Sequence, residues 1–259
     1  MRYLIYFILF FVSMSAQADC GRIYKVGIGT NWPPYVMYLN DIPYGLDIEV
    51  TEAILRSAGL CYEFIKLPSS ARGLNELEKG LVDVLPSASF NTERAEIAYF
   101  SIPYRRERMR LFSVNPDESA KNLSELFAGD NIFTANPGAY YGEELAEILR
   151  IDWYRKRLFE VASLDRRMQM VVLGRVNYLI EDEISGLYFA KQKGYNQIKL
   201  HSYIVNDNAI HFMLGRRSFS KEQVDAINEA IERQRPYFKT LEAKYISTTV
   251  ESSNPLEEL

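Results

Sequence analysis

Residues Tyr62–Pro86 read YEFIKLPSSARGLNELEKGLVDVLP. Tyr62–Leu67 is a strand-like apolar run. A helix is expected from about Arg72 to Glu78, Gly80 stops it, and Val82–Pro86 reads as a second strand. The same grammar holds upstream. A strand at Lys25–Gly29 leads into the loop Thr30-Asn31-Trp32-Pro33-Pro34-Tyr35, and a helix with apolar Ile48, Ala53, Ile54 and Leu55 ends at Gly59. This βαβαβ order predicts an α/β fold with a parallel sheet and right-handed crossovers.

The pattern recurs further along. A helix near Leu123–Phe127 precedes a strand at Ile132–Thr134, and Pro137-Gly138 turns into a helix at Glu143–Leu149. A strand at Leu158–Val161, a helix at Asp165–Leu173 stopped by Gly174, and a strand at Val176–Glu181 follow. Leu-Glu-Lys-Gly-Leu-Val-Asp, ending at Asp83, is echoed by Val-Val-Leu-Gly-Arg-Val-Asn, ending at Asn177. The echo suggests two lobes of similar build. Arg105–Asn115 and Ile204–Leu214 are further strand-like stretches, Lys221–Arg233 is an amphipathic helix, and the polar residues Ser247–Leu259 are expected to fray.

The first 18 residues read as a signal peptide: a basic start at Arg2, an apolar run from Tyr3 to Val12, and Ala16-Gln17-Ala18 before the cut. The run is shorter than the roughly 20 apolar residues that span a bilayer. Gln17-Ala18-Asp19 before Cys20 is not the set that lipid attachment requires, so the expected product is soluble and periplasmic. Cleavage after Ala18 leaves about 240 of 259 residues, enough for two lobes.

Composition excludes several classes. The net charge is −4, with acidic and basic residues mixed along the chain, so no nucleic-acid or polybasic membrane surface stands out. The two histidines, His201 and His211, form no cluster with cysteine at ligand spacing, so neither a metal nor a cofactor is expected. An inert or hydrogen-bonded role suits His211. Cys20 and Cys61 each precede a strand-like run. If those strands are parallel neighbours, a disulfide would close a loop of about 40 residues and stabilise by roughly 3–4 kcal/mol. Two free buried thiols are the alternative.

Several short motifs, in order, resemble the bacterial extracellular solute-binding proteins of the polar amino-acid type, family 3. They are Gly80-x-x-Asp83, Asn91-Thr92-Glu93-Arg94 and Phe100-Ser101-x-Pro103-Tyr104, together with Trp32-Pro33-Pro34-Tyr35 and Gly45-x-Asp47. The resemblance covers nearly all of the mature chain. It implies a two-lobed type II periplasmic-binding-protein fold, each lobe a central sheet flanked by helices, with two hinge strands between them. Residues 19–105 would form the first part of lobe 1, residues 106–208 lobe 2, and residues 209–259 the return to lobe 1.

The same resemblance implies a function without catalysis. The expected role is capture of a small polar carboxylate-bearing ligand, an amino acid first, by hinge closure for ABC-type uptake. The partners would be that ligand and an inner-membrane ABC permease or a receptor, with the protein itself a monomer. A sensing module, or a dehydratase-like enzyme using Glu181 or Asp182 as proton carrier, is the alternative. Arg94 would pair with the ligand carboxylate, with Ser87 and Ser89 completing the shell. A planar guanidinium gives a carboxylate two charge-assisted hydrogen bonds.

Other positions follow residue by residue. Asp182 would receive the ligand ammonium, although Glu181 and Glu183 beside it leave the register open. Trp32 and Tyr35 would lay aromatic faces against the ligand. Gly138 and Tyr140 belong to a second-lobe ligand loop, where Ala139 replaces the usual threonine. That change, with the phenol of Tyr140 after it, implies a different ligand, larger or more aromatic, and Gly29, where relatives often carry a polar side chain, leaves side-chain specificity open. Arg72 would add a second anion contact.

Overall fold

The computed structural model describes residues 20–250, with side chains to residue 246. The expected signal peptide and the last residues of the tail lie outside them. The first half contains strand β1 (Ile23–Ile28), the hairpin β2 (Met37–Leu39) and β3 (Ile42–Tyr44), helix α1 (Leu46–Ser57), β4 (Cys61–Lys66), α2 (Ser70–Lys79) and β5 (Val84–Ser89). Strand β1 lies between β4 and β5 and is parallel to both, as the alternation of elements predicts. The start and stop of α2 come from single residues. The Ser69 hydroxyl accepts the Arg72 amide at 3.2 Å. Gly80 closes the helix at φ 73°, a region where a Cβ costs about 1 kcal/mol.

The parallel register sets Ile23 opposite Cys61, which brings Cys20 alongside. The two cysteines form a disulfide with Cα atoms 5.8 Å apart and a sequence separation of 41. Replacing both with alanine is expected to lower Tm by about 6–12 °C in calorimetry of the oxidised protein. An unchanged Tm would show that the cross-link contributes nothing.

Helix α3 (Thr92–Ile97) and the short β6 (Ala98–Phe100) lead into β7 (Arg105–Ser113). The second half runs α4 (Leu123–Ala128), β8 (Phe133–Ala135), α5 (Glu143–Ile148), α6 (Asp152–Arg155), β9 (Leu158–Glu160), α7 (Leu164–Val172), β10 (Tyr178–Asp182) and α8 (Glu183–Lys193). Strand β11 (Lys199–Gly215) and helix α9 (Lys221–Val250) complete it. The main sheet has the order β4-β1-β5-β11-β7-β10-β8-β9, with β6 on β11. Strand β11 pairs with β7 over Lys199–Ile210 and with β5 over Ile210–Leu214. Strand β7 in turn pairs with β10. These two antiparallel strands therefore connect two parallel sheets, and the fold is two-lobed.

Each lobe has its own core. Val26, Ile54, Phe212 and Ile231 are buried together in lobe 1. Leu111, Phe127, Phe133 and Tyr178 fill one side of lobe 2, and Phe112, Met168, Leu179 and Phe189 the other. The echoed motifs perform the same task in both lobes. Asp83 Oδ2 accepts the Lys25 amide at 2.8 Å, and Asn177 Oδ1 accepts the Ile132 amide at 2.8 Å. Each side chain pins the start of the neighbouring parallel strand.

Two elements differ from the sequence expectation. Helix α9 does not stop at Arg233 but continues past Pro236 to Val250, because Phe238 and Leu241 extend the buried stripe of Ile227 and Ile231. Helix α8 carries no apolar periodicity to read. Its buried residues include Ser185 and Gly186, and a Cβ on Gly186 would lie 2.1 Å from the Phe112 ring.

Candidate functional site

In open α/β sheets the carboxyl ends of the strands face the ligand crevice. Here the loop after β1 brings Gly29, Thr30, Asn31 and Trp32 to that edge, and the end of β5 brings Ser87, Ala88 and Ser89. The second lobe faces them with Asn136, Ala139, Tyr140 and Tyr141 after β8, Arg167 from α7, and Glu181 from β10. Glu107 of β7 and Met213 of β11 form the hinge side. The cavity between the lobes measures about 150 Å³, a volume on the order of that which accepts a benzene-sized molecule.

The lobes touch across this cavity. Arg94 Nη2 donates to the Gly138 carbonyl at 2.8 Å, and Trp32 Nε1 donates to Glu181 Oε1 at 2.8 Å. The Ala71 amide donates to the Pro137 carbonyl at 3.1 Å, and Asn136 Nδ2 donates to Ser70 Oγ at 3.0 Å. Four contacts from separate residues hold a closed arrangement.

Arg94 is placed by its own helix start, where Asn91 Oδ1 accepts the Arg94 amide at 2.8 Å. Its Nη1 donates to the Ser89 carbonyl at 2.8 Å. Among the described residues it makes no ion pair, although the residue is only 9% exposed. Burial lowers its pKa, with Glu107 and Glu93 opposing that shift.

A model of the bacterial extracellular solute-binding proteins, family 3, matches residues 24–248. The chain belongs to this family. No curated protein sequence matches it significantly. Solved structures show the fold. A histidine kinase sensor domain with similarity to periplasmic binding proteins superposes with a TM-score of 0.75 at 20% identity, covering 88% of this chain and 97% of that one. The arginine-, lysine-, histidine-binding protein ArtJ from Geobacillus stearothermophilus gives 0.73 at 16% identity, with coverage of 87% and 96%. The GluR0 ligand-binding core from Nostoc punctiforme, in complex with L-glutamate, gives 0.70 at 17%, with coverage of 86% and 98%.

This family 3 site departs from the residue-by-residue expectation at several positions. Arg94, Ser87, Ser89, Trp32 and Tyr140 border the cavity, and Gly138 contributes its carbonyl to Arg94. The serines are already engaged. Ser87 donates its hydroxyl to Asp47 and its amide to Tyr104 Oη, and Ser89 Oγ lies 3.4 Å from Glu107 Oε1. Tyr35 does not reach the cavity. It packs in the lobe 1 core with its ring 4.2 Å from the Arg105 guanidinium.

Asp182 does not face the cavity either. It caps α8 by accepting the Ser185 amide at 2.8 Å, and burial pushes its carboxyl up to about 6, against the pull of Arg105. Its neighbour Glu181 borders the cavity instead, because successive strand residues point to opposite faces. Arg72 pairs with Glu76 at 2.5 Å on the surface of α2 and stays outside. His201 and His211 are structural: their ring nitrogens bond the Asp117 and Ser101 carbonyls.

Sequence reading missed Arg167 and Glu107, though both break a pattern. Arg167 shares the buried face of α7 with Leu164, Met168 and Val171. Glu107 alternates inward on β7 between exposed Arg106 and Arg108. Burial pushes the Glu107 carboxyl up to about 8; Arg105 opposes this, and Asp182, Glu181 and Asp47 add to it. Folding therefore retains a proton that the unfolded chain loses above about pH 4.5. Stability falls as pH rises from there to about 8, by at most about 1.4 kcal/mol per pH unit from this group. Between about pH 6.5 and 8, above the Asp182 range, Glu107→Gln should flatten the fall of Tm with pH. An unchanged slope would place the titration elsewhere.

Proposed function

We propose that this family 3 protein captures a small carboxylate-bearing solute in the periplasm by hinge closure, with an amino acid the first candidate. An inner-membrane ABC permease would then receive the solute. Arg94 carries this reading. A buried cation without a carboxylate partner is costly to maintain, and a ligand carboxylate at the cavity would satisfy it. The Glu107 carboxyl borders the same cavity, where one of its oxygens would accept from the ligand's amine. Closure and binding are linked because the ligand would touch both lobes, so its differential contacts favour the closed state.

The test is a thermal-shift and calorimetric screen of the mature protein against amino acids, small carboxylates, polyamines and peptidoglycan fragments. A carboxylate-bearing compound should raise Tm with concentration. Response only to carboxylate-free amines would contradict the reading. So would mass-spectrometric conversion of the hit, since the proposal is capture without turnover.

The sensor-domain neighbour favours a second reading, in which the same closure signals to a membrane receptor. Cells lacking the gene separate the two: loss of uptake of the labelled hit supports transport, and retained uptake supports sensing.

A further inference from the structure

Helix α7 turns Leu164, Met168 and Val171 into the lobe 2 core, and Arg167 lies among them. A guanidinium buried on an apolar face needs acceptors for its N–H groups. Its charge is paired, since Nη2 lies 2.8 Å from Glu181 Oε2, but the two are not aligned as a hydrogen bond and Oε2 has no hydrogen-bond partner among the described residues. Nε and Nη1 are buried and have no hydrogen-bond partner among the described residues. Glu181 Oε1 is committed elsewhere, since it accepts from Trp32 Nε1 at 2.8 Å and from the Asp182 amide at 3.1 Å. Tyr141 stands on the same wall; its Oη accepts the Asn136 amide at 2.7 Å, which leaves its own proton to donate. Arg167, Glu181 and Tyr141 all border the cavity.

Charge counting points the same way. Arg94 and Arg167 place one guanidinium on each side of the cavity, and Glu181, the ion-pair partner of Arg167, borders it as well. Burial disfavours the Glu107 anion and pushes its carboxyl up, towards the protonated form. The walls thus hold a surplus positive charge, which a dry site tolerates only if the ligand cancels it. A neutral zwitterion cancels nothing, and a basic amino acid makes the imbalance worse.

We infer that Arg167 is a second anion seat, and that the ligand carries an acidic group at each end, as an acidic amino acid or a short dicarboxylate does. Arg94 holds one end from the first lobe and Arg167 the other from the second. The inference rests on the Arg94 reading above.

Calorimetry at pH 7 on the mature protein, with L-glutamate, L-aspartate, succinate, L-glutamine and L-arginine as probes, tests it. At least one acidic probe should bind about 10- to 100-fold more tightly than L-glutamine, and L-arginine more weakly still. Two variants locate the effect. Arg167→Lys keeps a positive charge beside Glu181, and the double variant Arg167→Gln/Glu181→Gln removes both buried charges. Both variants leave the net charge of the walls unchanged, yet the acidic preference should shrink to within about 3-fold, because the unpartnered guanidinium N–H groups that seat the second acidic group are gone. A preference that survives in both variants overturns the assignment to Arg167. Equal affinity for L-glutamine and L-glutamate, both lost in Arg94→Ala, overturns the second seat and leaves the first reading standing. No response to any carboxylate overturns both.

Discussion

Arg94→Ala is expected to weaken binding of the carboxylate-bearing ligand by about 100-fold or more, roughly 3 kcal/mol, with the fold intact. The loss is large because the ligand carboxylate would be buried without its charge partner. The fold should survive because Arg94 makes no ion pair among the described residues, and the buried Glu107 that feels its charge is already pushed towards its neutral form. Among the described residues only the carbonyls of Ser89 and Gly138 lose a side-chain donor, and both lie beside the cavity. Calorimetric titration with the best hit, set against the Tm of the empty variant, checks both halves. Wild-type affinity in the variant would remove Arg94 from the site.

Gly138→Ala should cost nearly as much affinity by a different route. The residue sits at φ 78°, and a Cβ there would lie 2.4 Å from the Ala71 amide nitrogen and 2.5 Å from its Cα. Ala71 belongs to the other lobe, so the collision exists only when the jaws meet. The backbone penalty of about 1–2 kcal/mol acts whether they meet or not. Gly194→Ala is the matching control, with φ 70° and nothing within 4 Å of the added Cβ. Both variants should lose similar stability, yet only Gly138→Ala should lose binding and the ligand-induced contraction seen by small-angle scattering. Contraction and affinity retained in Gly138→Ala would mean that closure does not bring these loops together.

Much of the fold was legible because short-range rules decide it. Ser69 and Gly80 mark the ends of α2, the strand–helix alternation sets the parallel sheet, and Asp83 and Asn177 occupy equivalent places in the two lobes. The site was legible in outline only. All five residues of β10 are buried, so no alternation of burial tells Glu181 from Asp182. Trp32 and Tyr35 are alike in kind, and only tertiary packing sends one to the cavity and the other to the core. The Arg94–Gly138 contact joins residues 44 apart in sequence, beyond the reach of any local pattern. Arg167 is a cation within an apolar stripe, a signal that the sequence reading passed over. It is the position where local consistency fails, which is where a functional group is to be expected.

The disulfide lies at the amino ends of β1 and β4, whereas the loop that reaches the cavity leaves the carboxyl end of β1. Durability and selectivity are thus lodged at opposite ends of the same strand. The redox history of a molecule can govern how long it lasts while leaving the cavity end of the strand unchanged.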